Sequence, residues 1–145
     1  MNAREPAAYD FAVVRAVPHV HLGDFVPVGV IVHARSREFL AVRAVDDPAS
    51  LRAMVPGVDA GRLARYLRSY AAIAAGDPAA GPVALLPTSE RFHWLTAPRS
   101  DVLQTSPIHE GLCDDPGRIM EELFSAYVKA AASSRQGSAG DSAPG

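Results

Sequence analysis

A single cysteine, Cys113, stands among the 145 residues of this chain. That excludes a disulfide within it and fits a reducing compartment. Lysine is nearly as scarce: of 14 cationic residues only Lys129 is not arginine, and the formal net charge is −2. A nucleic-acid binder needs a basic face or stripe, and this balance supplies none. Long apolar runs are missing too. The longest, FVPVGVIV at 25–32, is eight residues and cannot cross a bilayer. The opening MNAREPAAYD carries charges at Arg4, Glu5 and Asp10 and has no signal-peptide core. Glycine occurs without either phosphate-cradling pattern, GxGxxG or GxxxxGK, so no nucleotide cofactor is expected. The expectation is a cytoplasmic protein, and the arginine, alanine, glycine and proline bias is that of a GC-rich bacterial coding sequence.

What is present suffices for one folded domain, since 48% of the residues are hydrophobic. Residues 1–8 read as a loose leader, 9–130 as the domain and 131–145 as a disordered tail rich in Ser, Gly and Ala. From Tyr9, alternation of Tyr9, Phe11 and Val13 against Asp10 and Ala12 predicts a half-buried strand. Segment 25–33 is apolar on both faces, so it predicts a central strand. Pro27 has no amide hydrogen, which predicts a bulge or a strand that starts properly only at Val28. A hairpin through 34–37 leads to a third strand at 38–45.

Asp47-Pro48 and Asp115-Pro116 are helix starts, with Asp as cap and proline at a position whose N–H has no partner. A further helix begins near Asp59, carries Leu63, Leu67, Tyr70 and Ala74 on one face, and ends at Gly76. A short strand is read at 83–86 and another at 91–96, with Phe92 and Trp94 facing one way and His93 and Leu95 the other. Segment 97–114 reads as mostly irregular. Ile119, Met120, Leu123, Phe124, Tyr127 and Val128 form the apolar stripe of a last helix. The order β-β-β-α-α-β-loop-α points to an α+β fold, a mainly antiparallel sheet of four to five strands with two to three helices packed on one face.

The chemistry concentrates in ERFHWLTAPRSDVLQTSPIHEGLCDDP, residues 90–116. Long irregular segments in compact domains are usually functional or disordered, and this one holds too many ordering residues to be disordered. Arg99 offers a planar fork suited to a carboxylate or phosphate. Ser100, Gln104 and Ser106 add short-range donors and acceptors, and His93 beside Trp94 could stack a ligand. The plain alternative is that these groups satisfy the loop's own backbone. A nucleophile would be Cys113 with His109, or Ser106 with His109. Asp114 and Asp115 disfavour a thiolate at Cys113, so a buried inert cysteine is the simpler reading. For metal, His19 and His21 flank Val20 with Asp24 nearby, but no further ligands follow at a recognisable spacing. HEGLC at 109–113 lacks the second histidine of the helical zinc motif, so no metal is expected.

Three segments, YDFAVVRAVP at 9–18, FVPVGVIV at 25–32 and above all RFHWLTAPRSDVLQTSPIHEGLC at 91–113, resemble the DUF3037 family of unknown function. The resemblance covers roughly 9–128; members often have Asn where this chain has Pro27. It implies no activity and no cofactor. Genes of the family frequently sit beside one for a kinase-like protein similar to the HipA toxin kinases, which implies an accessory role with that partner. The leading expectation is therefore a small accessory or binding module acting through 91–113. A hydrolase or transferase using His109 with Ser106 or Cys113 and Arg99 is the alternative. A homodimer paired through the valine-rich strands is a third arrangement.

Overall fold

The computed structural model describes residues 5–18, 24–99 and 102–133. Three antiparallel strands come first: β1 (Ala7–Ala16), β2 (Val26–Ala34) and β3 (Phe39–Ala44). The sheet is completed from far along the chain. β4 (Leu103–Thr105) and β5 (His109–Cys113) lie end to end along the free side of β1, each antiparallel to it. The order β3-β2-β1-β4, with β5 also on β1, makes β2 interior. That is where a strand apolar on both faces belongs, because an exposed edge of such composition invites aggregation.

The expected irregularity at Pro27 is present. Val14 pairs with Gly29 and Arg15 with Pro27, so Val28 is the extra residue of a bulge on β2. The bulge turns Val28 to the same face as Ile31, where both are fully buried.

Both Asp-Pro starts initiate helices. Asp47 caps α1 (Pro48–Met54) by accepting from the Ser50 amide at 3.0 Å. Asp115 caps α4 (Pro116–Phe124) by accepting from Gly117 and Arg118. Between them, Asp59 caps α2 (Ala60–Ala75), which Gly76 closes in the left-handed conformation. The last helix continues through a wide π turn, Ser125–Lys129, and 130–133 remain helical.

The structure corrects several expectations. Segment 91–96 is not a strand but the body of α3 (Thr88–Thr96), which buries Phe92 and Leu95 three positions apart. Six residues are too few to separate a period of 2 from one of 3.6, and the helix starts at Thr88, outside that window. Segment 83–86 is a 3₁₀ turn, Pro82–Leu85, entered through Gly81-Pro82. The 97–114 segment, expected to be mostly irregular, supplies β4 and β5, which are half of its described residues. β1 starts two residues earlier than read, at Ala7, and helix replaces the expected tail at 131–133. The remaining expected tail, 134–145, and the leader residues 1–4 lie outside the described residues.

Four α-helices, not two to three, are present among the described residues, and they do not share one face. α1, α2 and α3 cover one side, where Leu51, Leu63, Leu67, Phe92 and Leu95 meet Val14, Val28, Ile31 and Leu40. α4 and its π turn cover the other, where Phe124 and Val128 meet Phe11, Val13, Val30 and Val32. Each fully buried aliphatic side chain contributes about 1.5–3 kcal/mol, so neither layer is dispensable. The α+β class stands, as two cores around one antiparallel sheet. No helix among the described residues is long and apolar enough to cross a membrane.

Candidate functional site

The 91–113 segment wraps one end of the sheet and divides its polar groups among three places. A cavity of about 450 Å³ is lined by Arg15, Thr96, Arg99, Gln104, Thr105, Ser106 and Ile108, with Pro98 and Pro107 at its sides. This brings Arg99, Gln104 and Ser106 together. His93 instead faces a second cavity, formed by β1, β2, β5 and α3. His109 lies on α4's side of the sheet, its ring 5.1 Å from that of Phe11. Strand alternation explains the separation: His109 and Glu110 are neighbours in β5 and so point to opposite faces. Ser100, His19 and His21 lie outside the described residues.

Arg99 is anchored before it meets any ligand. Its guanidinium donates to the Trp94 carbonyl at 2.7 Å, the Leu95 carbonyl at 3.3 Å and the Tyr70 hydroxyl at 3.2 Å. At the end of α3 the Trp94 carbonyl has only a long 3.4 Å bond from the Ala97 amide, and a cation there also meets the negative end of the helix. The guanidinium stacks over the Trp94 indole, 4.4 Å from its centroid. Arg15 repeats the arrangement across the cavity, 4.3 Å over the Phe25 ring, with one bond to the Thr105 carbonyl. Its Nε is buried and has no hydrogen-bond partner. Neither arginine forms an ion pair among the described residues. Phe25 and Trp94 stay 47% and 38% exposed, which leaves two cation-on-aromatic pairs open to a partner.

The two nucleophile pairings are not assembled. Ser106 sits where β4 gives way to β5. Its Oγ accepts from the Val13 amide at 2.8 Å and its hydroxyl donates to the Pro107 carbonyl at 2.8 Å, replacing ladder bonds across the break. Cys113 and His109 are the two ends of one five-residue strand, about 13 Å apart at the usual strand rise. Burial pushes the Cys113 thiol above its ordinary pKa, and Asp114 and Asp115 push the same way against Arg37. A thiol so placed is a poor nucleophile.

Sequence reasoning missed His33. It is only 6% exposed and stacks on Phe92 with centroids 4.9 Å apart, and its Nε2 has no hydrogen-bond partner. The signal was slight, a histidine ending an apolar run. Burial lowers its pKa below the ordinary 6.5, with His93 and Arg35 acting in the same direction and Asp10 and Glu38 opposing. The folded state therefore holds the neutral imidazole. Its contribution to stability is fully present above pH 6.5 and falls as pH drops through 6.5 toward the lower folded value. Between about pH 7.5 and 5.5 the wild type should lose more stability than His33→Phe, as read from urea midpoints. Parallel losses would remove His33 as their source.

Comparison with curated proteins and with solved structures finds no significant match. Residues 11–128 match the family model described as "Protein of unknown function (DUF3037)", and the chain belongs to that family.

Proposed function

We propose that this protein is an accessory binding module that docks a partner protein through the Arg15–Arg99 cavity and its exposed aromatic rim. The carrying observation is the paired arrangement of two guanidiniums without ion-pair partners among the described residues, each on an exposed aromatic ring, on either side of one cavity. Tryptophan and arginine are the residues on which interface energy most often concentrates. Two guanidinium forks favour a carboxylate-bearing segment of the partner. A HipA-like kinase is the partner implied by the family's gene neighbourhood. Hydrolysis or group transfer by His109 with Ser106 or Cys113 is the weaker reading, because Cys113 stands at the far end of β5 from His109 and the Ser106 hydroxyl is engaged by the backbone.

The test is calorimetric titration of the purified chain against a HipA-like kinase encoded beside a gene of this family. Arg15→Ala and Trp94→Ala should each weaken binding about tenfold or more while leaving the melting temperature near wild type. Arg99→Lys keeps the charge but loses the fork. It should weaken binding and also cost about 1 kcal/mol of stability through the released helix-end carbonyls. Unchanged affinity in all three variants would end the docking reading. Turnover by the isolated chain, abolished by His109→Ala in a folded variant, would put the enzyme first.

A further inference from the structure

His33 is the one buried polar side chain among the described residues. Its ring lies against Phe92 of α3, with planes inclined by 28°, so the imidazole is part of the surface on which that helix rests. The Nε2 is shut off from solvent and has no hydrogen-bond partner. A proton added there would put a charge where neither water nor an acceptor meets it, a larger cost than the unmade hydrogen bond of the neutral ring. The charged and titratable groups around the ring come from every neighbouring element. Asp10 of β1 stands directly opposite it in the ladder, Arg35 and Glu38 lie in the turn to β3, and His93 is on α3. Glu110 of β5 shares the second cavity with Asp10 and His33. None of these groups forms an ion pair among the described residues. Burial is the strongest influence and opposes the charged ring, as do His93 and Arg35, while Asp10 and Glu38 favour it. α3 also carries one side of the docking site, because its Trp94 and Leu95 carbonyls and its Trp94 indole hold the Arg99 guanidinium.

We propose that His33 is a pH-sensitive latch on α3: the neutral ring seats the helix through Phe92, and the protonated ring leaves Phe92 for Asp10, unseats the helix and weakens partner docking. The move is short, because directly opposed side chains on a sheet stand about 4.5–5.5 Å apart at Cβ. The cavity that both residues line, about 520 Å³, leaves space beside the ring. Because burial holds the folded ring's pKa below 6.5, the seated state is favoured above pH 6.5 and gives way as pH falls below it. Unseating α3 displaces the carbonyls and the indole that orient Arg99, so affinity falls with the share of molecules that remain seated. The effect on docking rests on the Arg15–Arg99 reading, whereas the movement of α3 does not.

Trp94 is the chain's single tryptophan and lies on α3, so it reports the seat of that helix directly. In the full chain its emission and its quenching by acrylamide should change in one step between about pH 7.5 and 5, with a midpoint below 6.5. His33→Phe, which keeps a ring against Phe92 without a titrating nitrogen, should remove the step. Asp10→Asn removes a carboxylate that favours the charged ring and should move the midpoint to lower pH. His93→Gln removes the imidazole beside the reporter and should keep the step, moved slightly up. Calorimetry against the same HipA-like kinase at about pH 7.5 and 5.5 should show wild-type affinity falling about tenfold more than that of His33→Phe. No step down to about pH 5, a step that survives in His33→Phe, or a midpoint unmoved by Asp10→Asn would each overturn the latch. A step without the excess loss of affinity would overturn its control of docking. Absence of binding at the higher pH would end the docking reading, and with it that control, while Trp94 still decides whether the latch exists.

Discussion

Phe124→Ala is expected to remove about 3–5 kcal/mol from the unfolding free energy, the scale of emptying a buried phenylalanine site. The ring is 3% exposed and is the largest side chain that the last helix inserts among Phe11, Val13, Val30 and Val32. It also carries the Arg43 guanidinium on its face, 4.1 Å from the centroid. Arg43 in turn holds Glu121 of α4 through both carboxylate oxygens at 3.1 Å. Truncation therefore opens a void and loosens the arginine that ties β3 to α4. The salt bridge is exposed and worth under about 1 kcal/mol, so the void dominates. Urea unfolding should show a lower midpoint with an unchanged slope. Phe124→Leu, which fills most of the space, should cost under about 1.5 kcal/mol. An alanine variant within about 1 kcal/mol of wild type would mean that α4 is not a working half of the core.

Gly29→Val should be the most damaging substitution on the sheet, at or above the upper end of about 1–3 kcal/mol. Strand propensity alone points the other way, because β-branched residues favour strands over a range of about 1 kcal/mol. Close approach decides it. A Cβ at Gly29 would lie 2.9 Å from the Ala44 Cβ and 3.0 Å from the Arg43 carbonyl oxygen. The second contact is backbone and cannot rotate away, so β2 and β3 must part beside the bulge. Ala44→Gly should rescue part of the loss in the milder Gly29→Ala, by removing the first clash and not the second. Circular-dichroism melts of the four proteins suffice. A valine variant as stable as wild type would show that the strands separate freely there.

The elements legible in the sequence were those with strong local chemistry. Asp-Pro pairs fixed two helix starts, Gly76 fixed a helix end, and Pro27 marked the bulge. The apolar run after Phe25 could only be a central strand. α3 was lost because Phe92, Trp94 and their neighbours fit both periods, and one error led to the next. With 91–96 read as a strand, nothing places Phe92 over His33, so the burial of that imidazole has no sequence signal. β4 and β5 were lost because three- and five-residue strands owe their shape to β1 rather than to their own composition. The candidate site was half legible. Arg99, Gln104 and Ser106 line one cavity, but Arg15, which lines it with them, stands on β1, far from the 90–116 segment where the chemistry concentrates.

The completion of the sheet from its far end has a consequence for how the chain is made. Val13 and Ser106, which bridge the break between β4 and β5, are 93 positions apart. At 5–20 residues per second, a ribosome exposes the outer edge of β1 for about 5–20 s before its covering strands exist. The β1–β2 hairpin, valine-rich on both faces, must wait through that interval with unpaired backbone groups on offer. Yield in a fast-translating host should therefore be limited by encounters between nascent hairpins, and slower synthesis or a holding chaperone should recover soluble protein without any change to the folded state.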